Sequence, residues 1–259
     1  MYEFETIKAE IKEGVGKLTL NRPESLNAFN EKMTSEVQSA LSNFARDENI
    51  RCAVITGNGR AFSAGQDLKE VESDTSFSDS LTRRYNPIIV LISRMQKPVV
   101  ALINGVAAGA GMSLALACDF KIMSSTAKLL QAFIRVGLIP DSGSTFFLSR
   151  SIGYSRAFEL ASLGNELCAD EALKLGIVNR VFSQEEFKEG SEEIIQRLVK
   201  GPTKAYSLLK KAMNFALDHD LESTLEYEAY LQEIAGRTED VNEGVKAFTE
   251  KRLPVFKGR

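Results

Sequence analysis

The sequence predicts an α/β fold in which strand-turn-helix units stack in a spiral and a helical tail follows. Three observations lead there. Over the first two thirds of the chain, short β-like runs alternate with helical ones. Several of these runs end in similar turns, "TLNRP", "VITGNG" and "ALINGV", as repeated units would. After about residue 200 the strand pattern disappears and the chain reads as three or four amphipathic helices in succession.

Taken in order, "FETIKAEI" and "VGKLTL" read as paired strands, and "CAVIT", "VVALI" and "FKIMS" as buried ones. A helix fills the gap after the second strand. Asn30 is placed to cap it, and Met33, Val37, Leu41 and Phe44 keep one face apolar. A second helix carries Ile88, Ile89, Leu91, Ile92 and Met95 until Lys97-Pro98 ends the run. The charge-free run from Val99 to Cys118 is about the length that spans a bilayer core. Asn104-Gly105 is a strong turn signal, however, and the glycines and alanines around it make the run small instead of greasy. It is therefore expected to stay out of the membrane. In the tail, Tyr227, Tyr230, Leu231 and Ile234 continue an apolar stripe that so small a helical region cannot bury by itself. Residues 1–200 are thus expected to form the core and residues 201–259 the helical appendage.

Composition excludes several classes of function. With 44% hydrophobic and 26% charged residues the 259-residue chain has an ordinary globular composition, and a net charge of -3 leaves no broad electrostatic footprint for nucleic acid. The basic stretch "KGPTKAYSLLKKA" reads as a solvated helix face of Lys200, Lys204, Lys210 and Lys211. Cys52, Cys118 and Cys168 sit apart among apolar neighbours, with the look of reduced core residues, and no cluster suggests a metal site. The single histidine, His219, reads as a surface or helix-end residue, so little is available for Ser-His or Cys-His chemistry. The start of the chain carries scattered charges and no apolar core of a secretory signal, which makes the cytoplasm the expected location.

Three segments carry chemistry. "GLIPDSGSTFF" sets Asp141 after a proline that fixes the local backbone, so the loop aims one carboxylate. A helix-capping role for Asp141, with Ser142 to Thr145 opening the helix, fits the residue types equally well. "GRAFSAGQDLKE" and "NGVAAGAGMSLALACDF" are Gly/Ala-rich turns after predicted strands, where backbone can approach a ligand and unpaired N–H groups attract negative charge.

As a set, "LNRPESLNAF", "AFSAGQDLKE", "INGVAAGAG", "GLIPDSGST", "ADEALKLGIVNRVF" and "EGVKAFTEKRLPVFKGR" resemble the enoyl-CoA hydratase/isomerase, or crotonase, superfamily from end to end. The resemblance implies a crotonase-like spiral of ββα units with a C-terminal helical trimerisation region. It also implies CoA thioester substrates, no cofactor beyond the CoA of the substrate, and a homotrimer or dimer of trimers. By position, it puts the oxyanion hole on the backbone N–H groups of Ala64 and Ala110. One such donor contributes about 3 to 4 kcal/mol to the transition state. The resemblance further implies that Ala64, Gly65, Gln66, Asp67, Leu68, Gly109 and Phe133 line the acyl-CoA site. Phe248 and Lys251 would close over the nucleotide, their own subunit's or a neighbour's.

The departures from the family pattern bear on the reaction. Where hydratases of the family carry two glutamates, this chain has Ser113 and Phe133. Hydration needs a base for water and an acid for the α-carbon, and neither is supplied at these positions. Asp141 stands where other members carry a catalytic aspartate. The resemblance then leaves an isomerase with Asp141 as acid/base, acting on ring-1,2-epoxyphenylacetyl-CoA or shifting a double bond from 3-enoyl- to 2-enoyl-CoA. "GLIPDSGSTFFLSR" and "GRTEDVNEGVKAFTEKRLPVFKGR" most resemble isomerases of the epoxide kind. A dehalogenase would use Asp141 as nucleophile but would need a base for hydrolysis. A hydratase would have to hold its water through Ser113, and a non-catalytic acyl-CoA binder or an RNA-binding relative needs no carboxylate at all.

Overall fold

The computed structural model describes residues 4–70 and 76–259. Strand β1 (Ile7–Lys12) pairs antiparallel with β2 (Val15–Leu20), and β2 then starts a parallel run through β3 (Cys52–Gly57), β5 (Val99–Ile103), β7 (Phe120–Ser124) and β10 (Arg180–Phe182). The five strands read from the sequence are all present. A second sheet, not anticipated, is made of three-residue strands in the order β4 (Ala61–Ser63), β6 (Val106–Ala108), β8 (Lys128–Leu130) and β9 (Glu166–Cys168). Each of β3, β5 and β7 is thus followed by a short strand in the second sheet, which gives the ββα repeat of the spiral.

Buried on both faces, the parallel strands divide their side chains by the two-residue period. Ala53 and Ile55 of β3, with Ala101 and Ile103 of β5, join the main core with Met33, Val37, Leu41 and Phe44 of α1 (Glu31–Arg46). Cys52, Val54, Val100 and Ile122 face the other way, onto Ile195, Leu198 and Val199 of α8 (Phe187–Lys200). Helix α1 begins at the predicted cap, where the Asn30 side chain accepts the Met33 N–H at 2.8 Å. Its far end is closed by Lys97, whose buried Nζ donates to the carbonyls of Phe44 and Asp47 at 2.8 and 2.9 Å.

The run from Val99 to Cys118 folds as β5, β6 and the buried helix α4 (Ala110–Ala117), with the Asn104-Gly105 turn between the strands. Among the described residues no helix is long and apolar enough to cross a membrane. Between β4 and β5 lie α2 (Phe77–Ser80), a wider π turn over Leu81–Tyr85 and α3 (Asn86–Arg94). After β8 come α5 (Ser144–Ile152), α6 (Tyr154–Leu163) and, beyond β9, α7 (Ala169–Lys174).

The tail forms α9 (Thr203–Ala216), α10 (Leu221–Gly236) and α11 (Glu239–Thr249). Arg51 at the edge of β3 holds it to the core, donating to Gly201 O at 2.6 Å, Thr203 Oγ1 at 3.0 Å and Phe256 O at 2.8 Å. The tail stripe divides: Leu231 is buried while Tyr230 stays exposed. Two sequence expectations fail here. Lys210 is not solvated, because its Nζ bonds Asp119 Oδ2 at 2.8 Å and Ile92 O at 2.7 Å, which brings α9 onto the core. Cys168 is exposed at the end of an edge strand, unlike the buried Cys52 and Cys118.

Candidate active site

The site forms where the two Gly/Ala-rich turns meet. Helix α4 opens at Gly109, whose φ of 50° and ψ of -124° suit only a residue without Cβ, and no side chain caps the helix. The first-turn N–H groups, Ala110 foremost, therefore have no intrahelical acceptor and form a partial positive end. Close approach of the other turn depends on two further glycines. A Cβ on Gly111 would lie 2.5 Å from Ser63 O, and one on Gly65 would lie 2.8 Å from Ala108 O and 3.3 Å from Ala110 N. Only bare backbone fits there.

The expected donor at Ala64 is corrected by this geometry. Its N–H already donates to Leu26 O at 2.9 Å, so it is not open to a ligand. Phe29 N–H donates to Gly65 O at 2.7 Å and Asp67 N–H to Phe29 O at 2.9 Å, pinning the chain on either side of Gln66. The Gln66 N–H between them has no acceptor among the described residues. A donor on the backbone leaves no mark in the side-chain sequence, and a two-residue offset within "SAGQD" preserves every feature that the sequence reading used.

Asp141 sits on a turn in which Ser142 and Gly143 both take left-handed backbone, at φ 52° and 77°. It is not a side-chain cap: α5 has no side-chain cap bond, and Asp141 Oδ1 instead accepts the Ser142 hydroxyl at 2.8 Å. The Asp141 carbonyl accepts Ser144 N–H at 2.9 Å and the Ser113 hydroxyl at 3.0 Å. Burial raises the Asp141 pKa above the usual carboxylate value, and the Ser142 hydroxyl offsets part of the rise. Such a group takes up and gives back a proton more readily near neutral pH than an exposed aspartate does.

Ser113 is fully buried on α4, and its hydroxyl lies 3.2 Å from Gly109 O as well as 3.0 Å from Asp141 O. With these carbonyls as its acceptors it is a strut between the Gly109 turn and the Asp141 loop, and its one proton is committed to them. Phe133, 8% exposed, packs its ring edge 3.8 Å from where a Cβ on Gly109 would stand, beside the mouth of the same helix.

Other predicted residues are placed differently. The Asp67 carboxylate turns to Arg22 at 3.0 Å and accepts Lys69 N–H at 3.2 Å, so its side chain holds the loop. Leu68 is exposed. Phe248, 87% exposed, and Lys251 lie at the end of α11; no hydrogen bond, ion pair or ring contact among the described residues joins them to Asp141 or Ala110. His219 stacks on Phe215 at 3.6 Å and points Nδ1 at its carbonyl, 2.8 Å away, beyond the end of α9.

Tyr85 escaped the sequence reading. It ends the π turn and donates its hydroxyl to Gln66 Oε1, and its ring meets Phe29 edge-on at 5.9 Å. Burial, together with the nearby Asp141 charge, pushes the Tyr85 pKa well above that of an ordinary phenol. It is thus a protonated donor whose hydroxyl is directed to the Gln66 amide.

Known proteins resemble the chain over nearly its whole length. The family model described as enoyl-CoA hydratase/isomerase matches residues 10–259. The chain is 41% identical to a 1,2-epoxyphenylacetyl-CoA isomerase of Escherichia coli (strain K12), covering 100% of both chains. It is 40% identical to a probable enoyl-CoA hydratase of Rhodobacter capsulatus, covering 99% of each. A solved enoyl-CoA hydratase subunit I from Geobacillus kaustophilus HTA426 superposes with a TM-score of 0.93 at 36% identity, covering 100% of both chains.

Proposed function

The chain belongs to the enoyl-CoA hydratase/isomerase family, and from that premise we propose that it is an acyl-CoA isomerase in which Asp141 carries the proton. The thioester oxygen docks between the N–H groups of Gln66 and Ala110, which stabilise the negative charge that develops as the α-carbon loses its proton. Asp141 removes that proton and returns it two carbons along, turning a 3-enoyl-CoA into a 2-enoyl-CoA. On a ring epoxide of phenylacetyl-CoA the same hole and carboxylate would assist ring opening. CoA is part of the substrate, and the reaction asks for no other cofactor.

One observation carries this reading. Asp141 offers a partly buried carboxylate with a raised pKa beside the Ser113 helix, while at the two positions of the hydratase glutamates stand Phe133 and a Ser113 whose hydroxyl is engaged by backbone carbonyls. Hydration needs two positioned proton carriers, whereas a double-bond shift needs one. The relative named as a probable hydratase keeps hydration as the second reading. Product analysis over a 3-enoyl-CoA, a 2-enoyl-CoA and the phenylacetyl-CoA epoxide separates them. Isomers without 3-hydroxyacyl-CoA are expected, and hydration of the 2-enoyl-CoA at a comparable rate would overturn the proposal.

The working unit we propose is a trimer or dimer of trimers in the cytoplasm. Tyr154 and Phe158 of α6, Met213 of α9 and Leu225 and Tyr230 of α10 are large apolar side chains left in solvent, the kind of surface that subunit contacts cover.

A further inference from the structure

Gln66 is held from three directions. Its backbone neighbours Gly65 and Asp67 are bonded to Phe29 at 2.7 and 2.9 Å, its side-chain Oε1 accepts the Tyr85 hydroxyl, and the Tyr85 ring closes on Phe29 edge-on at 5.9 Å. Tyr85, Phe29 and Gln66 thus contact one another pairwise and close a triangle at the residue that bears this N–H. Tyr85 reaches it from an unusual piece of backbone, a π turn in which Asn86 N–H bonds Leu81 O, and such wide turns recur at functional sites. Tyr85 is 7% exposed, and among the described residues its hydroxyl bonds one partner, the Gln66 amide.

We propose that Tyr85 is a positioning residue of the oxyanion hole, whose hydroxyl locks the Gln66 side chain and thereby fixes the Gln66 N–H against the thioester oxygen. The inference rests on the assignment of that N–H as a donor. A hole works by being aimed before the charge develops, so a donor free to swing is worth much less than a fixed one, and a misplacement of about 1 Å can cost about 100-fold in rate. A hydrogen bond that served folding alone would lower stability without altering how strongly the thioester carbonyl is polarised. Tyr85→Phe separates the roles, since it keeps the ring on Phe29 and deletes the hydroxyl.

The experiment binds a conjugated aryl-enoyl-CoA, whose absorption moves to the red when its thioester oxygen is polarised, to the intact wild-type protein, to Tyr85→Phe, to Gln66→Leu and to the double variant. Turnover of a 3-enoyl-CoA is measured in parallel. The wild type should show the red shift. Tyr85→Phe and Gln66→Leu should each bind with affinity within about threefold of wild type, shift less, and lose about tenfold or more in kcat with KM little changed; the double variant should be no worse than the poorer single one. An undiminished red shift and kcat in Tyr85→Phe would overturn the positioning role and leave the proposed function standing. Additive losses in the double variant would also overturn it. Absence of any red shift in the wild type would overturn the hole itself, and the positioning role with it. Should Tyr85→Phe not fold, Gln66→Leu carries the test alone: full polarisation and kcat in that variant contradict the proposal.

Discussion

The buried Ser113 hydroxyl donates to the carbonyl of Asp141 at 3.0 Å, joining residues 28 positions apart and tying the helix that bears the Ala110 N–H to the loop that bears the carboxylate. The two parts of the site are therefore mutually registered.

Ser113→Ala removes the strut while leaving the Asp141 carbonyl its bond from Ser144 N–H at 2.9 Å. The stability cost should be about 1 kcal/mol, the worth of one such hydrogen bond. Isomerisation should fall by more than that loss suggests, about tenfold in kcat, because the carboxylate is no longer held in register. Denaturant unfolding and steady-state kinetics on the same preparation check both figures.

Ala110→Pro deletes one donor at the first helical position, where proline is best tolerated because that N–H has no helical partner. Circular dichroism should report a folded protein, and turnover should fall about 100-fold to 1,000-fold. A folded, fully active variant would exclude the Ala110 N–H from the hole.

Gly111→Ala puts a Cβ 2.5 Å from Ser63 O and 2.8 Å from Ser63 Cβ, so β4 and α4 must separate. Overpacking of this kind costs about 1 to 3 kcal/mol. The larger effect should be on activity, since the same displacement moves the Gln66 and Ala110 donors apart. Thermal unfolding and a 3-enoyl-CoA assay report the two losses.

The Asp141 carboxyl is raised by burial, so the folded state holds its proton more tightly than the unfolded chain does. Ionised Asp141 accordingly costs stability at neutral pH, and the cost fades as pH falls from the folded pKa toward the unfolded one. Asp141→Asn should unfold at a higher temperature than wild type at pH 7, with the gap closing at acid pH. In the wild type, the acid limb of kcat should lie above the pH at which an ordinary aspartate titrates. A stability gain independent of pH would contradict this origin.

Much of this molecule is legible in its sequence, and the illegible parts have physical causes. The buried strands β3, β5 and β7 and the Asn30 cap announce themselves because burial and capping act through side chains. The second sheet does not, since strands of three residues such as Ala61–Ser63 and Val106–Ala108 are too short to display a period. The donor proposed at Gln66 is a backbone group and has no residue type to advertise it. Tyr85 reaches Gln66 across 19 residues, and Lys210 reaches Asp119 across 91, through tertiary contacts that no local pattern encodes. Asp141 is visible as a positioned carboxylate, but only the missing side-chain cap bond of α5 and the Ser142 hydroxyl on Oδ1 separate it from a helix cap.

Whether one carboxylate, Asp141, moves the proton is decided by the rate at which Asp141→Asn isomerises a 3-enoyl-CoA, measured beside its affinity for a CoA thioester. Asparagine retains the size and can still accept the Ser142 hydroxyl bond, but it cannot take up and return a proton. Asp141→Asn should fold, bind the thioester as wild type does and turn it over about 100-fold to 10,000-fold more slowly. Near-native isomerisation by Asp141→Asn would contradict it.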